Sequence, residues 1–205
     1  MSQPTPDRHQ PPRAPRHQHR QTSLKGATLI EALVSLLVMS FGLLGLAGLQ
    51  ASGLTFQKSA WSMHRVTDIT SDIGERIRAN PKAVDANYKY DANYATGKAA
   101  TRTKLNCRTT GTCSAADIAA DDITDLLLKA QTLLPQGAMQ ITGTRVDGFV
   151  VTSMYMDKDF LTTAGALDQT PTCSGTPTGI DARNCCPTAA AAPAGVRCRN
   201  FTIIP

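Results

Sequence analysis

From Ala32 to Gln57 no side chain carries a charge, and between Ala32 and Leu49 only Ser35 and Ser40 are polar. A run this uniformly apolar predicts a helix that is greasy all round. At 1.5 Å per residue, about 20 helical residues match a bilayer core of roughly 30 Å. After Gln50 the pattern changes, but nothing stops the helix. No proline occurs between Phe56 and Asn80, and Val66, Ile69, Ile73 and Ile77 recur at spacings of three and four. That is the period of one helical face. Arg65, Asp68, Asp72, Glu75, Arg76 and Arg78 are read as the polar remainder of that helix. Pro81 ends it, and Asn80 before a proline is disfavoured in helix. The prediction is one helix from about 27 to 80, on the order of 80 Å long. Residues 27–53 form its apolar half. Residues 54–80 form an amphipathic half whose stripe needs something to lie on.

Residues 81–205 read as a head. Residues 81–112 carry DANY twice, at Asp85–Tyr88 and Asp91–Tyr94. The Asp and Asn spacing raises a calcium loop, but the sixth position is Tyr90 rather than Gly and the twelfth is Thr96 rather than Glu. Tyr88, Lys89, Tyr90 and Tyr94 also raise base stacking beside a charge. The segment is read instead as a turn-rich surface loop. A second helix is expected from about Ala115 to Leu134, with Ser114 and Asp117 as its starting box and Pro135 and Gly137 as its end. Alternation then predicts strands over Met139–Arg145 and Phe149–Met156, joined by the turn signal Asp147-Gly148. A further strand is expected over Val196–Ile204. The fold class is α+β: a long amino-terminal helix on a small antiparallel sheet.

The charge balance removes one function class. The net charge is +5, but residues 1–26 hold Arg8, Arg13, Arg16, Arg20 and Lys25 against Asp7 alone. The remainder, near neutral, gives no reason to expect strong nucleic-acid binding. That leader, rich in Pro, Gln, Arg and His, buries no apolar surface and is expected to stay disordered. Its His9, His17 and His19 are read as part of a solvated basic tract. The positive flank keeps the amino-terminal side of the apolar helix cytoplasmic.

All six cysteines, Cys107, Cys113, Cys173, Cys185, Cys186 and Cys198, follow the apolar run. None shows the C-x-x-C spacing of structural zinc sites. An even number beyond a membrane segment is read as disulfides in an oxidising compartment. Cys107 and Cys113 are the expected local pair, and Cys198 is expected to close onto Cys173, Cys185 or Cys186. They staple a tail whose residues 170–195 are rich in Thr, Pro, Gly and Ala. No cofactor or metal is expected. After the leader the only histidine is His64, read as a helix-surface residue, and neither H-E-x-x-H nor G-x-S-x-G occurs. An enzyme is therefore not expected.

Glu31 at the front of the apolar run demands a reason. A carboxylate in hydrocarbon costs a few kcal/mol even on the milder insertion scales. A cut after Gly26 would leave an ammonium at Ala27, four residues and about one helical turn away. The pair would neutralise each other within one chain. Across chains, the carboxylate would capture a neighbour's terminus and set register.

Lys25-Gly26, Ala27-Thr28-Leu29-Ile30-Glu31 and the apolar run that follows resemble the class III signal of type IV pilins and pseudopilins. SLLVMSFGLLGLAGLQ, SDIGERIRANP at 71–81 and GTCSAADIAADDITDLLLKAQTLLPQG at 111–137 are similar to minor pilins of the type IV pilus modification protein PilV family. The resemblance implies a pilin-like fold and a structural role in priming the pilus, with adhesion and twitching motility downstream. It implies cleavage after Gly26 by prepilin peptidase, methylation at Ala27 and assembly through Glu31. Phe or Met usually follows the cut, and Ala27 stands there. Implied partners are other minor pilins, the major pilin, the inner-membrane assembly platform and a pilus tip adhesin. The implied location is the inner membrane, with a periplasmic head, and then the extracellular pilus. A type II secretion pseudopilin carries the same signal and is the alternative. A membrane-anchored or secreted disulfide protein of another function is a weaker one. Gly42, Gly45 and Gly48 recur every third residue, which permits close helix packing or local loosening. Glycine is also simply common in membrane helices.

Overall fold

The computed structural model describes residues 28–205. The leader, Gly26 and Ala27 lie outside the described residues. The chain divides after Gly48 into two units.

The first unit is the start of helix α1 (Leu29–Ala79). Its first closing hydrogen bond runs from Ala32 N to Thr28 O, 3.2 Å. Every described residue up to Gly48 is exposed, as uniform apolarity without a partner surface dictates.

The second unit begins at Leu49 and contains the rest of α1. Ser62, Val66, Ile69, Thr70, Ile73, Gly74 and Ile77 are its buried side. Spacings of three and four put them on one stripe. That stripe lies against helix α4 (Ala115–Leu133) and one face of the sheet, in a core with Leu127, Met139, Ile141, Phe149, Val151 and Ile203. Gly74 lets β3 come close: an added Cβ would stand 3.3 Å from Ile203 Cγ2.

The sheet has three antiparallel strands in the order β1 (Ala138–Thr144), β2 (Gly148–Met156) and β3 (Val196–Ile203). The β1–β2 turn, Arg145–Asp147, closes with Thr144 Oγ1 donating to Asp147, 2.9 Å. Gly143, at φ +96°, permits an approach that a side chain would block, since a Cβ there would stand 2.2 Å from Gly148 O. Helix α4 starts as its local signal requires. Asp117 N donates to Ser114 Oγ (3.2 Å) and Ser114 N donates to the Asp117 carboxylate (2.9 Å).

Residues 81–112 depart from a surface loop. They hold a 3₁₀ turn at Asp85–Tyr88 and two short helices, α2 (Tyr94–Ala99) and α3 (Cys107–Thr110). Tyr88 is wholly buried and Tyr94 nearly so. Two side-chain amides hold this segment down. Gln140 Nε2 donates to Asp91 O and Ala92 O, and Gln131 Nε2 to Gly97 O, Lys98 O and Ala100 O. Tyr90 adds a short rung to the β1 edge through reciprocal bonds with Ile141 of 2.9 and 2.7 Å. Amphipathic tyrosines bury a ring wherever tertiary structure supplies a wall.

The opposite face of the sheet is covered by α2 and the cysteine-rich segment. Tyr94, Ala138, Met154, Cys186, Ala190, Val196 and Cys198 form this second core. The disulfides are Cys107–Cys113, Cys173–Cys185 and Cys186–Cys198. The vicinal pair thus ties one segment in two directions, to Pro171–Cys173 and to β3. Helix α5 (Gly179–Asn184) is docked by Asn200, whose Nδ2 donates to Ala182 O (2.7 Å) and Cys185 O (2.9 Å). A long amino-terminal apolar helix, a small antiparallel sheet and disulfides make this a pilin-like α+β fold.

Candidate functional site

Two places carry the charged or special residues, and each lies within one unit. In the first unit Glu31 sits in the first turn of α1, flanked by exposed Leu29 and Ile30. A carboxylate there is favoured by the positive end of the helix dipole. The helix is long and apolar enough to cross a membrane. Gly42, Gly45 and Gly48 lie along it, and a Cβ added at any of them would meet nothing within 4 Å. They leave small open patches on the helix surface, suited to close approach by another helix.

In the second unit, the carboxyl-terminal half of α1 meets α4 through charge. Arg76 donates to three carboxylates: Nε to Asp72 (3.0 Å), Nη1 to Asp122 (2.9 Å) and Nη2 to Asp125 (2.5 Å). Lys129 reaches Asp72 (2.7 Å) and Asp125 (3.0 Å), and Lys104 also contacts Asp125. Three cations thus meet three anions. The spacing explains the meeting: Asp72 and Arg76 are one turn apart on α1, as are Asp125 and Lys129 on α4.

Burial alone would raise the Asp125 carboxyl, but hydrogen bonds from Lys104 and Lys129 and the Lys129 and Arg76 charges hold it well below the usual range. Burial opposes ionisation of Asp72 too, and Lys129 and Arg76 outweigh it to lower that carboxyl. Burial would lower the Arg76 guanidinium, yet its carboxylates raise it. Tyr88 closes the network. Its hydroxyl donates to Asp122 (3.0 Å) and accepts from Asn80 Nδ2 (3.1 Å). Burial first, and then the Asp122 charge, push the phenol up to about 12.

Asp121 faces the other way. Its carboxylate accepts from the backbone N–H groups of Leu105 (2.7 Å), Asn106 (3.3 Å) and Cys107 (3.2 Å). That fixes the Cys107–Cys113 loop to α4. Arg145 closes the end of α1, donating to Ile77 O (3.2 Å) and Asn80 O (2.9 Å). Those are carbonyls that the helix end leaves without internal partners.

A cavity of about 290 Å³ lies here, lined by Arg76, Asn80, Cys107, Ile118, Asp121 and Asp122. Its charged walls are paired with one another or with backbone, so the arrangement locks two helices together. No nucleophile and base converge on it. His64 is apart, exposed on α1 with Nδ1 3.0 Å from Asp68. Among the described residues every cysteine is in a disulfide, and no group of three metal-ligating side chains forms.

The hydrophobic pattern alone missed the Arg76 network. It placed Asp72 and Arg76 in the polar remainder of the helix, yet the Arg76 side chain is only 11 % exposed. The available signal was complementarity: D-x-x-x-R on α1 and D-D-x-x-D-x-x-x-K on α4.

Residues 48–124 match a protein-family model described as Type IV pilin Tt1218. The matched stretch runs from the last of the three glycines through the second half of α1, the tyrosine-bearing turns and the first disulfide into α4. It excludes the signal motif at 25–31. No curated protein matches, and no solved structure matches. Over these residues the chain is similar to a type IV pilin, and helix α1 is long and apolar enough to cross a membrane.

Proposed function

We propose that this chain is a minor pilin: a low-abundance structural subunit that helps prime a type IV pilus, with no catalytic role. The observation that carries the reading is α1 itself. One helix serves two solvents, apolar all round at its start and packed by a single stripe into a disulfide-tied head further on. Such an element suits a subunit that waits in a membrane and later packs its greasy half among like helices. The match to the type IV pilin model over 48–124 supports the same reading.

In this proposal the basic leader holds the amino terminus in the cytoplasm. Prepilin peptidase cuts after Gly26, and Ala27 becomes the methylated terminus. The Glu31 carboxylate then pairs with an ammonium inside the helical bundle, where an unpaired charge is costly. The head waits in the periplasm, where disulfides persist. The assembly platform, the major pilin, other minor pilins and a tip adhesin are its partners. Gly42, Gly45 and Gly48 give neighbouring helices close approach.

The first test is the amino terminus and intact mass of the protein recovered from its own envelope. A chain starting at Ala27, with or without one methyl group, is the expected result. A chain starting beyond Gln50 would mean an ordinary secretory signal and defeat the proposal. Glu31→Ala should leave the cut in place and lower incorporation into pili. Normal pilus numbers in that variant would remove Glu31 from assembly. Loss of secretion with twitching motility intact, in a strain lacking the protein, would favour a type II secretion pseudopilin instead.

A further inference from the structure

One end of the sheet faces the point where the apolar run stops. Arg199 Nε lies 3.3 Å from Met63 Sδ, whereas Ile203 packs at Gly74, so β3 runs in the same direction as α1. Stepping back along β3 from Arg199 to Arg197 covers about 6.6 Å, equivalent to about four helical residues, and reaches the level of about Ser59. The uncharged run ends at Gln57. The segment held by Arg197 therefore lies beside that boundary.

That segment is a small hairpin. Arg197 forms an ion pair with Asp157, Nε 2.7 Å from the carboxylate, and its guanidinium lies 4.2 Å from the centre of the Phe160 ring. Asp168 N donates to Phe160 O (2.8 Å) and Thr162 N to Ala166 O (2.8 Å). Gly195 N donates to Asp168 O (2.7 Å) and fixes the base. Leu161 and Leu167 pair across it, so they point to the same side, and they are 47 % and 43 % exposed. Trp61, the only tryptophan, is 48 % exposed at a similar level along α1. Paired exposed leucines and an amphipathic aromatic are what an apolar–polar boundary favours.

Charge does not explain this end. Lys58, Arg65, Lys158, Arg197 and Arg199 stand against Asp68, Asp157, Asp159 and Asp168. A net of about one cation gives little attraction to anionic lipid, each basic residue contributing about 1 kcal/mol near such a surface.

We propose that the Phe160–Asp168 hairpin is a membrane-resting foot, in which Leu161 and Leu167 enter the headgroup layer of the phospholipid bilayer that holds the chain's own apolar helix. This rests on the membrane-anchored stage of the function proposed above. The foot leaves the bilayer when the subunit does. Its attraction is apolar, so it does not depend on anionic lipid.

The test uses the full chain in phosphatidylcholine vesicles with brominated acyl chains. Leu161→Trp is placed in a Trp61→Phe background, and Leu44→Trp in the same background reports the anchor. Blue-shifted emission from position 161, quenched by the bromolipid and unchanged by high salt, is expected. Quenching at 44 with water-like, unquenched emission at 161 overturns the foot alone and assigns the leucines to a protein neighbour. Quenching at 161 only with anionic vesicles, lost in high salt, overturns the apolar mechanism. Unquenched emission at both positions overturns the anchor reading and the foot together.

Discussion

Arg76→Ala is the sharpest test of what joins α1 to α4. The Arg76 side chain is 11 % exposed and serves Asp122 and Asp125, which are 9 % and 13 % exposed. Removing one partner of a buried pair costs about 3–5 kcal/mol, because an uncompensated charge remains. The structure narrows that range. Asp125 keeps Lys104 and Lys129, and Asp72 keeps Lys129. Only Asp122 loses its cation, and it retains the Tyr88 hydroxyl at 3.0 Å. The expected loss is therefore at the low end, about 3 kcal/mol. Arg78→Ala is the control. That side chain is 46 % exposed and pairs with Glu75 at 73 %, and such pairs contribute about 0–1 kcal/mol. The assay is urea unfolding of the detergent-solubilised chain, followed by near-ultraviolet circular dichroism, with midpoints compared at equal slope. A second change separates pairing from packing. Asp122→Asn in the Arg76→Ala background should restore part of the stability by removing the stranded charge. If Arg76→Ala falls within about 0.5 kcal/mol of the parent, a typical surface-substitution effect, the network does not hold the helices. If Asp122→Asn deepens the loss, the stranded carboxylate is not its cause.

The same network sets pH limits. Asp72 and Asp125 are depressed, so their stabilisation is present above the ordinary carboxylate range near pH 4 and is lost as pH falls through and below it. Tyr88 is raised to about 12, so its contribution is full below about pH 10 and is lost as pH rises from there to about 12. That alkaline loss amounts to about 2–3 kcal/mol, and Tyr88→Phe should flatten it in a stability–pH profile. Ile73→Ala should cost about 2–5 kcal/mol in the same urea assay, since Ile73 is wholly buried beneath the sheet. Gly143→Ala should cost more than about 1 kcal/mol, from its positive φ and the 2.2 Å approach to Gly148 O. Replacing Cys186 and Cys198 together by serine should cost about 2–4 kcal/mol, more than the same change at Cys107 and Cys113, whose loop is shorter.

What the sequence determined by itself is local or periodic. The stripe Val66, Ile69, Ile73 and Ile77 specified a buried helical face because residues three and four apart lie side by side whatever they touch. Ser114 and Asp117 specified a helix start because both partners lie within one turn. Alternation in Phe149–Met156 and the Asp147-Gly148 turn specified a hairpin for the same reason. The apolar run specified a membrane-length helix by composition alone.

Only the tertiary structure decided features whose partners are far apart in the chain. Arg76 reads as a surface charge until α4 brings Asp122 and Asp125 within 2.9 and 2.5 Å, across separations of 46 and 49 residues. Tyr88 and Tyr94 read as loop aromatics until the two faces of the sheet enclose them. Arg145 ends α1 from 65 residues away through Asn80 O, a contact no local pattern contains. Cys185 and Cys186 are adjacent, so spacing left Cys198 free to close onto Cys173, Cys185 or Cys186. Cys185 bonds Cys173 and Cys186 bonds Cys198, with Asn200 holding α5 against β3 and Cys173 N bonding Cys186 O beside them. Side-chain periodicity records which face is apolar, but a charge's partner depends on which element folds against that face.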